Sequence, residues 1–233
     1  MSKDTLKNYS KRLNEHGNVF TFVLIGVALF AALAFTVSRG MRSQTTTVMS
    51  GRDAVLAATD IMAYAQRLER AVSHIQRTKL CSENELSFEN SLVAGYVNAS
   101  SPSDNRCHIF NPAGGGVIWK APPSNANDGS DWHFTGATCI TDLGSGPTGC
   151  DSDTVSNEEL IAVLPNLDVN VCKEISKKLG EPSILNDTGG SYSTTKFTGS
   201  FIDGTEIILG SSLSAQCYQN GANYHFYFVL SER

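Results

Sequence analysis

No proline occurs before Pro102, so the N-terminal stretch carries nothing that breaks a helix through its ring. No Cys-x-x-Cys pair occurs among the six cysteines, which speaks against zinc ribbons and thioredoxin-like redox pairs. Gly-x-Ser-x-Gly, His-Glu-x-x-His and Walker-type phosphate loops are missing as well. With them go the usual signatures of serine hydrolases, zinc proteases and nucleotide hydrolases. The turn at Ala113–Val117 is glycine-rich but lacks the helix and the Lys or Ser of a phosphate cradle. Basic residues are scarce in the C-terminal part: residues 81–233 hold 7 Lys and Arg against 18 Asp and Glu. A domain that acidic repels a phosphate backbone, so nucleic acid is not an expected partner. No cofactor is expected.

What is present starts with an apolar run. The stretch Val19–Val37 holds nineteen residues without a charge. As a helix it reaches about 28 Å, close to the thickness of a hydrocarbon core. It is longer than the core of a cleavable secretory signal, and apolar residues continue past the small-x-small pair Ala32 and Ala34. A retained membrane helix over 18–38 is therefore expected, behind a cytoplasmic leader over 1–17. Lys3, Lys7, Lys11 and Arg12 flank it on the N-terminal side. All six cysteines, Cys81, Cys107, Cys139, Cys150, Cys172 and Cys217, lie beyond it. An even number at wide spacing reads as three disulfides, which need an oxidising compartment. The C-terminal part is then exported, into a periplasm, an ER-derived lumen or the exterior, from a single-pass membrane protein whose N-terminus is cytoplasmic.

Past the apolar run, Ala54, Ala58, Ile61, Ala65, Leu68, Val72 and Ile75 recur at alternating spacings of four and three, the stripe of an amphipathic helix. The spacing predicts a helical continuation over 39–80, with Gly40 and Gly51 as weak points. Residues 81–233 read as an exported, disulfide-stapled α+β domain whose antiparallel sheet packs on that helix. Two short strands are expected around the glycine turn of 107–121. A short helix is expected over 157–164, where Ser156 and Glu159 stand at capping-box spacing. A second helix follows, starting at Asp168 and stopping at Gly180. Two hairpins are expected on Asp203-Gly204 and Asn220-Gly221. In the last strand Tyr224, Phe226 and Phe228 point one way, and His225, Tyr227 and Val229 the other. Six cysteines admit many pairings. The favoured set is Cys139–Cys150, the shortest loop, with Cys172–Cys217 tying helix to sheet and Cys81–Cys107 tying the long helix to the next segment.

A basic leader ending in glycine, a retained apolar helix, an amphipathic continuation and a disulfide-bearing sheet together resemble the type IV pilin and type II secretion pseudopilin superfamily. The resemblance implies cleavage between Gly17 and Asn18 by a prepilin peptidase. It implies a structural subunit, not an enzyme, whose partners are the membrane, other pilin-like subunits and an assembly platform. The family's glutamate at the fifth mature position falls on Phe22, and the family's helix-kinking proline is absent. Within the superfamily this resembles minor or tip-type subunits. The alternative reading is a signal-anchored periplasmic or surface protein whose domain binds a partner or glycan.

Candidate chemistry is sparse. Ser130, His133, Asp128 and Asp131 form a nominal hydrolase set in one polar loop, the basis of a periplasmic hydrolase reading. Asp151, Asp153 and Glu158 or Glu159 offer hard oxygen ligands to calcium, as some pseudopilins hold in a loop, although a solvated acidic loop explains them as well. Asn98 and Asn186 head glycosylation sequons. Trp119 reads as core and Trp132 as undecided. With Tyr96 they would form a recognition patch if exposed.

Overall fold

A computed structural model describes residues 23–29, 49–143, 150, 158–210 and 213–233. The chain divides into two units, Met1–Thr47 and Val48–Arg233. Of the first, residues 23–29 are helical, and their large apolar side chains are exposed, from 51% at Ile25 to 62% at Val27. Gly17, Asn18 and Phe22, and most of the expected membrane helix, lie outside the described residues. Among the described residues no helix is long and apolar enough to cross a membrane.

The second unit opens with helix α1, Gly51–Thr78. Ser50 caps it in extended conformation, its Oγ accepting from Asp53 N, and Asp53 sits in the first turn where the helix dipole favours a negative charge. Met49 and Ser50 are not helical, so the continuation expected over 39–80 is helical in its described part only from Gly51. Gly51 is tolerated because it occupies the first helical position, where little helical conformation is at stake. All seven residues of the predicted stripe are buried, joined by Ala57, Tyr64 and Ala71. The stripe packs on helix α2, Val169–Leu179, and on strand β6, Asn223–Ser231. Its alanines let these backbones approach closely. Helix α2 is capped as the sequence implies: Asp168 accepts from Asn170 N, and Gly180 ends it at φ 92°.

The other strands are β1 (His133–Ile140), β2 (Glu159–Leu164), β3 (Leu185–Asn186), β4 (Thr205–Ile207) and β5 (Ala215–Asn220). They form a six-stranded sheet in the order β3-β5-β6-β2-β1-β4. The fold class α+β is as expected, but the sheet is mixed rather than antiparallel: β1 pairs β4 and β3 pairs β5 in parallel, at the two edges.

Three local expectations are corrected. Of the helix expected over 157–164, Glu159–Leu164 instead form the central strand β2, hydrogen-bonded to both β1 and β6. Its run Leu-Ile-Ala-Val-Leu is buried on both faces, and a doubly covered strand outcompetes the capping-box signal. Asp203-Gly204 does not turn a hairpin. Phe197 N and Ile202 N donate to Phe134 O and Gly136 O, so this segment runs beside β1 irregularly before β4 joins it in parallel. Residues 107–121 form no strands, although Val117 N donates to Ile109 O across the glycine turn. The hairpin β5–β6 forms, shifted by one residue. Asn220 pairs with Asn223, which leaves Gly221-Ala222 as the loop. Only Gly221 of the two has positive φ (59°), the type II′ pattern.

The two faces of the sheet are covered differently. One face, with Phe134, Leu164 and Phe226, meets α1 and α2. The other, with Ile161, Val163, Tyr218, Tyr227 and Val229, lies under loops contributed by Leu143, Tyr192 and Leu209. That division matches the alternation read in the last strand.

Three disulfides close the fold: Cys81–Cys107, Cys139–Cys150 and Cys172–Cys217. They are the set favoured on loop length and element proximity.

Candidate functional site

The nominal hydrolase set is not assembled. Ser130 Oγ donates to Asp128 Oδ1 at 2.5 Å, inside its own turn. His133 faces away, its Nε2 3.0 Å from Ser193 O and its Nδ1 3.5 Å from the Tyr96 hydroxyl. Burial lowers the His133 pKa below its ordinary value, against the Ser193 carbonyl that raises it. The imidazole is a neutral structural element linking strand β1 to the 192–195 segment.

Of the calcium candidates, Asp151 and Asp153 lie outside the described residues. Glu158 and Glu159 are buried. Glu158 Oε1 accepts from Gly204 N at 3.3 Å, and Glu159 Oε2 accepts from Ile140 N at 2.9 Å. Among the described residues the remaining oxygen of each carboxyl has no partner. Burial pushes Glu158 up to about 7, Asp203 and Glu206 add to the rise, and the Gly204 bond and Arg233 oppose it. Burial pushes Glu159 up to about 8 against its backbone bonds, with Glu158 and Glu232 adding to the rise. Among the described residues no three His, Cys, Asp or Glu side chains gather as they would around a metal ion.

Asn98 is buried, and its Nδ2 donates to Asn84 O and Leu86 O, both at 2.8 Å. The amide that a glycan would modify is committed to the fold, whereas Asn186 is exposed. Trp132 is core, 2% exposed, and packs on Tyr64 at 5.4 Å. Tyr96 is core too, its hydroxyl accepting from Phe134 N at 3.1 Å, so the imagined Trp-Trp-Tyr surface patch does not form.

What sequence reading missed is a cleft of about 590 Å³ between residues 89–92 and 105–119. Phe110 and Trp119 form its floor, edge to face at 5.3 Å. Phe110 in turn meets Phe88 and Phe134, so the floor is anchored in the core. Both walls are held by side-chain turns. Asn90 Oδ1 accepts from Leu92 N and Val93 N, while its Nδ2 donates to Phe88 O. Asn111 Oδ1 accepts from Ala113 N. A Cβ at Gly114 would collide with the His108 carbonyl, so the glycine run serves the close approach of two backbone segments, not a phosphate. The Cys81–Cys107 bridge staples the adjoining chain. The side chains of Glu89, Ser91, Asn105 and His108 line the cleft and make no hydrogen bond among the described residues. Leu92 (70% exposed) and Ile118 (81%) stand at the rim. The visible signal was the loop itself: residues 86–132 run without a strand, and loops that long inside a compact domain carry function more often than not.

No family model, no curated protein and no solved structure matches the chain.

Proposed function

We propose that the protein is a pilin-like or pseudopilin-like structural subunit of a bacterial envelope assembly, of the type II secretion or type IV pilus kind, in a minor or tip-type position. It acts without catalysis. The leader is removed after Gly17, the apolar helix holds the subunit in the inner membrane, and the disulfide-stapled body stands on the periplasmic side. Packing against neighbouring helices on an assembly platform then draws the subunit out. One observation carries the reading: a helical stretch at 23–29 with its apolar side chains exposed precedes a body whose long helix α1 already spends its apolar stripe on its own sheet. Exposed apolar side chains in series call for a non-aqueous or protein partner. On the body, Leu56 (69% exposed) and Val55 (38%) expose apolar side chains of their own in the first turns of α1. A photo-crosslinking residue at Leu56, activated in intact cells, is expected to give a ladder of adducts containing more than one copy or a co-assembled subunit. Monomer alone at that position would count against the reading.

The cleft beside Trp119 supports a second reading, a signal-anchored binding protein whose exported domain meets a small ligand. Here the anchor is interchangeable. Grafting residues 49–233 onto an unrelated membrane anchor should preserve function, and loss of function on grafting would oppose it.

A further inference from the structure

We propose that the cleft between residues 89–92 and 105–119 binds a neutral saccharide of one or two rings. The inference gives a ligand class to the second reading above, and it holds whether or not the chain assembles into a fibre. The cleft is large enough for a small organic ligand, at about 590 Å³. Its floor is aromatic and fixed: Trp119 is half-buried, and its partner Phe110 is held by Phe88 and Phe134. An indole held in this way offers a flat apolar surface to the C–H face of a sugar ring. Around it stand polar side chains that the fold does not use, the carboxylate of Glu89, the hydroxyl of Ser91, the amide of Asn105 and the imidazole of His108. Together they supply donors and acceptors in the mixture that vicinal hydroxyls require. Among the described residues no Lys or Arg lines the cleft, and Glu89 repels anions, so phosphorylated, sulfated or carboxylated ligands do not fit its charge. The rim residues Leu92 and Ile118 suit an acetamido methyl group. The turns at Asn90 and Asn111 are closed by their own side chains, so little ordering remains to be done on binding.

The test uses the full chain in a zwitterionic detergent, because alkyl maltosides are themselves sugars. N,N′-diacetylchitobiose, cellobiose and lactose are the probes, with a sulfated chondroitin disaccharide as the anionic comparison. Saturation-transfer NMR and titration calorimetry read the binding. The expected result is saturable binding of at least one neutral disaccharide, with strongest transfer at ring C–H protons. Trp119→Ala is expected to weaken it at least about tenfold. Ser91→Arg lies on the exposed wall and is expected to block the cleft with an unchanged unfolding midpoint, which guards against a misfolded Trp119 variant. No transfer from any neutral disaccharide at ~10 mM overturns the proposal. So does binding that survives both substitutions, or a preference for the sulfated disaccharide. Failure here would leave crosslinking at Leu56 untouched, since that is read on separate material.

Discussion

Glu159 offers a pH-dependent stability that one substitution removes. Its carboxyl is fully buried at the start of β2, on the sheet face that carries Ile161 and Val163. One oxygen accepts from Ile140 N and the other has no partner among the described residues. Burial raises its pKa from 4.5 to about 8. The folded chain therefore keeps a proton that the unfolded chain has already released. Stability from this group is fully present below pH 4.5 and is lost as pH rises towards 8. Between pH 5 and pH 8 the loss is about 3 kcal/mol. Glu159→Gln keeps an acceptor for Ile140 N and cannot ionise. Urea unfolding of the full chain in detergent, followed by the fluorescence of buried Trp132, gives the comparison. The variant is expected to match the wild type within about 1 kcal/mol at pH 5 and to exceed it by about 3 kcal/mol at pH 8. Glu158, raised to about 7, contributes a smaller fall of the same sign, so a Glu158→Gln, Glu159→Gln double variant should lose both falls and instead gain stability from pH 5 to pH 7, because burial lowers the pKa of His133 and His225. An Glu159→Gln variant with the wild-type slope would refute the reasoning.

Other substitutions test the remaining polar accounts. Asp187 is buried and accepts from Gly189 N, Ser191 N, Ile208 N and Asn220 Nδ2, all at 2.8–2.9 Å. Asp187→Ala orphans those donors and is expected to cost about 3–5 kcal/mol by urea unfolding; a loss under about 1 kcal/mol would contradict the network. Gln216 is fully buried with neither amide atom partnered among the described residues, so Gln216→Met is expected to stabilise by about 1–2 kcal/mol, and a destabilised variant would show that the amide is satisfied. Removing Cys172–Cys217 by paired alanines opens a loop with sequence separation 45 and is expected to cost about 4 kcal/mol, the largest loss of the three bridges, read from thermal midpoints.

The parts of the fold legible in the sequence are those governed by local or periodic rules. The α1 stripe and the α2 stops at Asp168 and Gly180 follow from helix periodicity and end chemistry, which depend on neighbours in the chain. The β5–β6 hairpin is announced by its glycine, although Asn220 turned out to be the last paired residue because its amide serves Asp187. The rest was decided at long range. Glu159–Leu164 follows a helix-start signal yet becomes the sheet's centre, since only the distant β1 and β6 make a doubly buried strand worthwhile. The parallel pairing of β4 depends on Phe197 and Phe201 reaching the core, and nothing in Asp203-Gly204 encodes that. The cleft was invisible for a related reason. Phe110 and Trp119 are close in sequence, but the opposite wall at Glu89–Leu92 reaches them through long-range links: the Cys81–Cys107 staple, the backbone bonds of Ser87 to Cys107 and Ile109, and the aromatic cluster on Phe88. Conversely, Ser130 and His133 are near in sequence and turn apart because each is already bonded elsewhere.

The proposed function requires that the apolar helix be retained after the leader is cut away. Intact-mass spectrometry of the chain extracted from membranes, in cells with and without the prepilin peptidase, measures this directly. A mature chain beginning at Asn18 is expected when the peptidase is present, and the uncut leader when it is absent. A chain that keeps residues 1–17 in both backgrounds, or one cut beyond Ala34 so that the helix is lost, would contradict it.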